Sequence, residues 1–237
     1  MPEHTIAENL TRLQNATTAI GNAITAKGGT VSSGDGLEEF ASDIATIPSG
    51  GVEFSNTPAA FTLLSNIQNL DVIIPSGVTS IADNAFYYCT GLTSIEIQSG
   101  VTSIGQSAFY GCTNLASVEI PNSVTSIGSS AFQGCSSLSS ITISNSVTSI
   151  SQNTFYDCDK LKYIEIPASV TNISAKAFDD AGLQTIKFLS STPPTVSNSN
   201  AFRYCPISTI YVPTGSLTAY TSASNYPSSS SVNYVEY

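Results

Sequence analysis

The stretch LTSIEIQSGVTSIGQSAFYGCTN, from Leu92 to Asn114, decides the fold because its pattern recurs along the chain. The tetrapeptide Val-Thr-Ser-Ile, which becomes Val-Thr-Asn-Ile in the last copy, returns every 23 residues, beginning at Val78, Val101, Val124, Val147 and Val170. Two further residue types keep the same step, namely Phe86, Phe109, Phe132, Phe155 and Phe178, and Cys89, Cys112, Cys135 and Cys158. A unit of this size is too small to bury its own apolar side chains, so the repeat predicts stacked units with a continuous core.

Within one unit the residues alternate as in a β-strand. Ile95 and Ile97 are separated by Glu96, which predicts a strand with one buried face. The segment 101–104 predicts a second extended stretch, and Ala108 with the following Phe predicts a tight helical turn on the third side. We therefore expect a mainly β solenoid with a parallel sheet, in which about six units at a spacing of roughly 4.7–4.9 Å form a rod about 25–30 Å long.

The repeat closely resembles the BspA-type leucine-rich repeat family over residues 70–212, with its 23-residue unit and its Ala-Phe-x-x-Cys ending. The resemblance implies a right-handed solenoid that binds other molecules and performs no catalysis. It also implies a bacterial surface or secreted adhesin, with a protein or a glycan as its partner. Glu96 occupies an exposed strand position of that family.

The composition excludes several classes of protein. The chain has 237 residues, of which only 10% are charged, and its net charge is −10. This acidity argues against nucleic-acid binding, which requires a basic surface. No run of apolar residues is long enough to span a membrane. No Lys or Arg occurs between Lys27 and Lys160, so we expect this stretch to repel polyanions.

A different pattern occupies the N-terminal segment. Apolar residues and one threonine follow a heptad spacing at Ile6, Leu10, Leu13, Thr17, Ile20 and Ile24. A second helical pattern ends before Pro48, so residues 3–47 are predicted to form a helical hairpin module. Two roles stay open for this module: it forms a coiled coil that makes a homo-oligomer, or it folds back and caps the solenoid.

Residues 16–51 resemble a module of tail and baseplate proteins from bacteriophages of gut Firmicutes. The shared pattern is a helix ending in Lys-Gly-Gly, followed by a second helix closing on Ile-x-x-Ile-Pro-x-Gly-Gly. This resemblance implies a viral protein of the virion tail whose helices join other tail proteins, and whose rod binds a receptor on a bacterial surface. The first residues do not match the pattern of a secretory signal, so we expect assembly in the host cytoplasm; a sequence that starts after a removed signal would look the same.

The sequence has no nucleophilic triad, no metal-ligand cluster and no cofactor-binding loop. The only histidine is His4, near the terminus, and no phosphate-binding glycine loop occurs. Glu96 and Glu119 share one repeat position in neighbouring units, which would place their carboxylates on a flat exposed face. Hydrolysis by the paired carboxylates, a weak cation or ligand contact, and simple solvation all stay open for that position. The cysteines share a core-facing position and are expected to be buried and unpaired.

Tyrosines and acidic residues give the best candidates for a ligand-binding surface. Tyr87, Tyr110 and Tyr156 directly follow the repeat Phe, and their position varies between units on an otherwise regular scaffold. The candidate ligand-binding residues are Tyr87, Tyr110, Tyr156, Glu96, Glu119, Tyr163, Glu165 and Tyr211. Aromatic rings with a polar tip suit recognition of sugars and proteins, although ordinary packing at the edge of the rod would also retain them.

Three segments follow from these patterns. Residues 1–51 are the helical module and linker, residues 52–213 are the solenoid, and residues 214–237 are a C-terminal cap and tail. A short helix is predicted after Thr214, with Ser216 as its N-cap. The first interpretation is a phage-tail receptor-binding protein, the second is a bacterial surface adhesin, and a structural spacer and a glycan-cleaving enzyme are further alternatives.

Overall fold

The computed structural model of the chain describes residues 52–54, 70–74, 77–228 and 230–237. The helical module predicted over 1–51, with the heptad positions Ile6, Leu10, Leu13, Thr17, Ile20 and Ile24, lies outside these residues. The described residues include most of the repeat region and nearly all of the C-terminal segment.

Short strands recur through the described part of the chain. In chain order they are β1 (Val52–Phe54), β2 (Leu70–Ile73), β3 (Val78–Ile81), β4 (Leu92–Glu96), β5 (Ser103–Ile104), β6 (Ser117–Glu119), β7 (Ser126–Ile127), β8 (Ser140–Thr142), β9 (Ser149–Ile150), β10 (Tyr163–Ile166), β11 (Asn172–Ile173), β12 (Thr185–Phe188), β13 (Thr195–Val196), β14 (Thr209–Val212) and β15 (Asn233–Glu236). Isoleucine, valine and threonine are frequent in these strands, and β-branched residues favour this backbone.

The strands form two sides of a solenoid. Even-numbered strands and β15 pair in the orders β2-β4-β6-β8 and β10-β12-β14-β15, and odd-numbered strands pair in the orders β1-β3-β5-β7 and β9-β11-β13. All pairs are parallel, and partner residues lie one repeat apart, as in Ile95 with Val118 and Val118 with Ile141. The predicted parallel β-solenoid is confirmed, with about seven turns instead of about six.

Tight turns close the third side of each unit. Phe109 N donates to Ala131 O of the next unit at 2.7 Å, so the turns are also hydrogen-bonded from unit to unit. Two positions in most turns have a left-handed φ, and the turn that ends at Tyr204 has only the second. The first position is held by Asn84, Ser107, Ser130, Asn153 and Lys176, and the second by Tyr88, Gly111, Gly134, Asp157, Asp180 and Tyr204. Among the described turns, a 3₁₀ helix is present at Ser199–Phe202.

Stacked phenylalanine rings form the centre of the core. Neighbouring rings have centroids 5.1 to 5.7 Å apart and planes within 13° of parallel, along the series Phe86, Phe109, Phe132, Phe155, Phe178 and Phe202. Offset stacking of this kind adds to the hydrophobic gain from burial. One ring per unit therefore joins the units into a single core.

The cysteines form a second column beside the rings. Cys112, Cys135 and Cys158 are fully buried, and each thiol donates to the carbonyl oxygen of the repeat Phe in the preceding unit at 3.0 to 3.2 Å. All five cysteines are unpaired, as predicted. Burial raises the pKa of Cys89 and of Cys205 to about 12, so these thiols are protonated at neutral pH.

The C-terminal segment continues the solenoid and then covers its end. The segment that forms β15 was expected to be part of a tail, but it pairs with β14 as a further parallel strand. The predicted helix is present as α1 (Leu217–Thr221), with Ser216 at its N-cap position. The Ser216 hydroxyl instead donates to Pro213 O, and Glu236 Oε1 accepts the N–H groups of Gly215 and Leu217 at 2.8 and 3.0 Å. The side chain that caps the helix therefore comes from β15.

Candidate functional site

The outward side chains of the even-numbered strands and β15 form one surface, called the strand face below. Strand register aligns them in two columns across the two sheets. The first column contains Asp71, Ser94, Ser117, Ser140, Tyr163, Thr185, Thr209 and Asn233, and the second contains Ile73, Glu96, Glu119, Thr142, Glu165, Lys187, Tyr211 and Val235. Inward positions stay apolar from unit to unit, whereas these outward positions change in size and charge.

Two shallow grooves lie on the strand face. The first groove has a volume of about 710 Å³ over Ser94 and Ser117, beside Ile73, which is 66% exposed. The second groove has a volume of about 460 Å³ over Ser140 and Thr142. The short side chains form the floor of each groove, and longer side chains on either side form its walls. The second groove, for example, lies between Glu119 on one side and Tyr163 and Glu165 on the other.

Hydrogen bonds fix the acidic side chain beside the first groove. Asp71 Oδ1 accepts the hydroxyl groups of Thr93, at 2.9 Å, and Ser94. The bond from Ser94 and then that from Thr93 lower the pKa of Asp71, because they stabilise the carboxylate. Asp71 therefore presents a fixed negative charge at neutral pH.

A similar cluster lies beside the second groove. Glu165 Oε1 accepts the Tyr163 hydroxyl and pairs with Lys187 Nζ at 3.2 Å. The hydrogen bond from Tyr163, followed by the contact with Lys187, lowers the pKa of Glu165. Burial and the same hydrogen bond raise the pKa of Tyr163. Because Lys187 also lies over the ring of Tyr237 at 4.9 Å, the cluster is held from two sides.

Glu96 and Glu119 are register partners on β4 and β6, at the exposed positions that the sequence indicated. Gln98 Nε2 donates to Glu96 Oε1 at 2.7 Å. Glu119 lines both grooves and has no side-chain hydrogen bond or ion pair within the described residues. Tyr211, also a candidate, lies in register with Lys187 and is only half-exposed.

The three candidate tyrosines on the turn side lie at two separate positions along the solenoid. Tyr87 stacks on Tyr110 with centroids 4.9 Å apart, and both contact Tyr88 edge-on at 4.7 and 5.3 Å. A hydrogen bond with Tyr88, followed by burial, raises the pKa of Tyr110. Tyr156 lies two units further along, with Gln133 at the intervening repeat position. The structure therefore brings together two of the three predicted tyrosines.

Tyr88 and the Asp179–Arg203 pair are surface features that the sequence pattern did not indicate. The carboxylate of Asp179 is fully buried and accepts both Nε and Nη2 of Arg203, at 3.1 and 2.7 Å. The guanidinium group also lies 4.8 Å from the ring centre of Tyr204, which is 73% exposed. One signal was present in the sequence, because tyrosine stands at positions 88 and 204 where two other units have glycine.

Metal sites and membrane-spanning helices are absent from the described residues. No group of three or more His, Cys, Asp or Glu among them could hold a metal ion. None of the helices in this part of the chain is long and apolar enough to cross a membrane. The candidate residues on this surface offer hydrogen bonding, aromatic contact and negative charge.

Comparison with known proteins identifies the repeat. The family model for the BspA-type leucine-rich repeat region matches six copies over residues 57–184 and 148–234. Among solved structures, a leucine-rich repeat protein from T. pallidum is 36% identical, over 53% of this chain and 59% of its own, with a TM-score of 0.49. A leucine-rich cell surface protein from Faecalibacterium prausnitzii is 24% identical, over 71% of this chain and 65% of its own, with a TM-score of 0.41. No curated protein matches the chain.

These comparisons do not support the phage-tail interpretation. The match to the family model begins at residue 57, and the phage-like pattern lies in residues 16–51, outside both the match and the described residues.

The chain spans less than two thirds of the length of the two solved proteins, at 59% and 65%.

Proposed function

We propose that the chain, which belongs to the BspA-type leucine-rich repeat family, is a non-enzymatic adhesin. In this proposal it holds a protein partner on its strand face. The adhesin acts at a bacterial surface or after secretion. The observation that carries the proposal is the pair of grooves beside Glu119, on the one side of the solenoid where regular strands present variable side chains.

The shape of the strand face favours an extended segment of the partner. Both grooves are shallow and have Glu119 in common, so a ligand that follows the columns of the sheet would contact both. The exposed hydroxyl groups of Ser117 and Ser140 offer hydrogen bonds along this line, and the ring of Tyr163 offers apolar contact. Aromatic side chains of this kind often provide much of the binding energy at protein interfaces.

The charge of the strand face favours a basic partner. Asp71, Glu96, Glu119 and Glu165 all carry carboxylates on this surface, whereas Lys187 is the one basic residue in the two columns. Opposite charge on a partner speeds its association and selects against acidic competitors. Since Glu119 has no ion pair of its own within the described residues, it is the carboxylate most available to a lysine or arginine.

The test measures binding of three extended synthetic peptides to the immobilised full-length chain by surface plasmon resonance. The peptides have equal length and are lysine-rich, uncharged and glutamate-rich. We expect the lysine-rich peptide to bind most tightly, and we expect Glu119→Gln and Tyr163→Ser each to weaken it. Tyr163→Ser introduces the residue that Ser140 already places at the same repeat position.

Asp159→Asn is the matched control because it removes the same charge from an exposed position outside the strand columns. Equal binding of the three peptides, or equal losses in Asp159→Asn and Glu119→Gln, would contradict the proposal. A chain that binds none of the peptides would also contradict it.

A further inference from the structure

Longer side chains and grooves alternate along the axis of the strand face. Ile73 stands on β2, Glu119 on β6 and Tyr163 on β10, and the two grooves lie between them. The first groove is therefore centred on β4 and the second on β8. Strand β6 pairs with both β4 and β8, so the groove centres are two strand spacings apart. Strands of a sheet lie roughly 4.7–4.9 Å from each other, which makes this distance about 9.4–9.8 Å.

Each groove has an apolar wall and an acidic wall. In the first groove Ile73, which is 66% exposed, faces the acidic side formed by Glu119. In the second groove the wall opposite Glu119 includes the ring of Tyr163, whose hydroxyl group is already bonded to Glu165. Lysine and arginine have an apolar stem and a charged end, so one such side chain matches both walls of a groove.

The strand face already holds one of its own lysines by the same two kinds of contact. Lys187 pairs with Glu165 at 3.2 Å and lies 4.9 Å from the ring centre of Tyr237. Neither groove is lined by a lysine or arginine among the described residues, and Glu119 has no ion pair there. A basic side chain of a partner would therefore find in the grooves the carboxylate and apolar contacts that Lys187 makes beside them.

The distance between the grooves favours one backbone conformation of the partner. A polyproline II helix has three residues per turn and rises about 3.1 Å per residue, so residues i and i+3 lie on one side, about 9.3 Å apart. This length agrees with the groove spacing of about 9.4–9.8 Å. In an extended β-strand, residues on one side lie about 6.6 or 13.2 Å apart, and neither distance joins the two grooves.

We infer, on the basis of the function proposed above, that the strand face binds a polyproline II segment of its partner in which two residues separate two basic ones. One basic side chain enters each groove, with its stem on Ile73 or Tyr163 and its charge near Glu119. Proline-rich segments of this kind dock in grooves lined by aromatic residues in other proteins. Their backbone is formed before binding, so less conformational entropy is lost on association.

Fluorescence anisotropy of dye-labelled peptides, titrated with the full-length chain, tests the spacing. Three peptides have the same length and composition, two lysines and otherwise proline, and the lysines are separated by one, two or three prolines. We expect the peptide with two intervening prolines to bind about fivefold more tightly, because only this peptide reaches both grooves and each lost groove removes an exposed ion pair. A fourth peptide replaces its prolines with glycine, and we expect weaker binding because the chain is flexible.

A pair of variants tests the apolar wall of the first groove. Ile73→Thr should weaken binding of the preferred peptide, and the fold should be kept because Thr142 stands in the same column. Leu217→Thr is the matched control, since Leu217 is an exposed aliphatic residue on α1 that lines neither groove. This control should keep the affinity of the parent chain, and far-UV circular dichroism shows that both variants are folded.

The outcomes separate this inference from the proposed function. Equal affinity for the three lysine spacings, equal affinity for the proline and glycine peptides, or equal losses in Ile73→Thr and Leu217→Thr would overturn the inference. If Glu119→Gln still weakened all of the peptides in such a case, the proposed function would stand without the polyproline II spacing. Binding of none of the peptides would overturn both.

Discussion

Replacement of Phe132 by alanine should reduce stability more than a typical single substitution, because this ring lies in the middle of the core column. Phe132 is 0% exposed and stacks on Phe109 and Phe155, with centroids 5.1 and 5.7 Å away and planes within 7° of parallel in both pairs. Removal of a buried Phe side chain costs about 3–5 kcal/mol, through lost burial and the cavity left behind. We expect Phe132→Ala to fall in that range.

A leucine at the same position separates burial from ring stacking. Phe132→Leu keeps most of the apolar volume and loses two stacked ring pairs, each worth about 0.5–1.5 kcal/mol. We therefore expect a loss of about 1–3 kcal/mol, smaller than that of the alanine variant. Gln133→Ala is the control, since this neighbouring side chain is only half-buried and has no hydrogen bond within the described residues.

Urea unfolding followed by far-UV circular dichroism measures these differences as shifts in the free energy of unfolding. A solenoid unit contacts only its neighbours, so Phe132→Ala should also broaden the transition as the two halves uncouple. The reasoning would be refuted if Phe132→Ala cost no more than Gln133→Ala, since the ring column could not then be what joins the units.

Three further predictions follow from the core, the helix cap and the strand face. The thiols of Cys89, Cys112, Cys135 and Cys158 should resist Ellman's reagent in the native chain because the core covers them, and all five thiols should react in guanidinium. Rapid reaction of these four in the native chain would contradict the buried column. Glu236→Ala should lower stability by about 0.5–2 kcal/mol in thermal unfolding because it removes the cap of α1, and an unchanged melting temperature would contradict this. Glu165 has a folded pKa below its ordinary value of 4.5, so its stabilising contribution is present above that value and is lost as the pH falls through the folded pKa. Stability of the parent chain should therefore drop more in acid than that of Glu165→Gln, and identical pH profiles would contradict this.

Most of the fold could be predicted from the sequence because the repeat is regular. The 23-residue step, as between Phe109 and Phe132, predicts parallel strands in register and a column of buried rings. The alternation around Ile95 predicts which face of each strand is buried. The cysteines were predictable for the same reason, since their shared position had to face the core.

Other features arise from contacts between distant residues, which a local pattern does not reveal. The cap of α1 comes from Glu236, about twenty residues away in the chain, whereas the local sequence pointed to Ser216. The strand β15 was missed because its segment has no Val-Thr-Ser-Ile motif and follows a serine-rich stretch. Its pairing with β14 adds the further turn of the solenoid.

The candidate site was only partly predictable. Alternation placed Glu96, Glu119 and Tyr163 on an exposed face, but the grooves depend on the short side chains between them, whose significance appears only when the units are stacked. The exposed ring of Tyr88 was undervalued because its left-handed backbone cannot be recognised from one unit alone.

Chemical-shift mapping by nuclear magnetic resonance tests most directly whether the strand face is the binding surface. The isotope-labelled full-length chain would be titrated with the lysine-rich peptide, and the backbone amide signals would be followed. The account predicts that the largest changes cluster at the outward residues of β6, β8 and β10, around the two grooves. Changes confined to the turn side or to residues 1–51, or no changes at all, would contradict it.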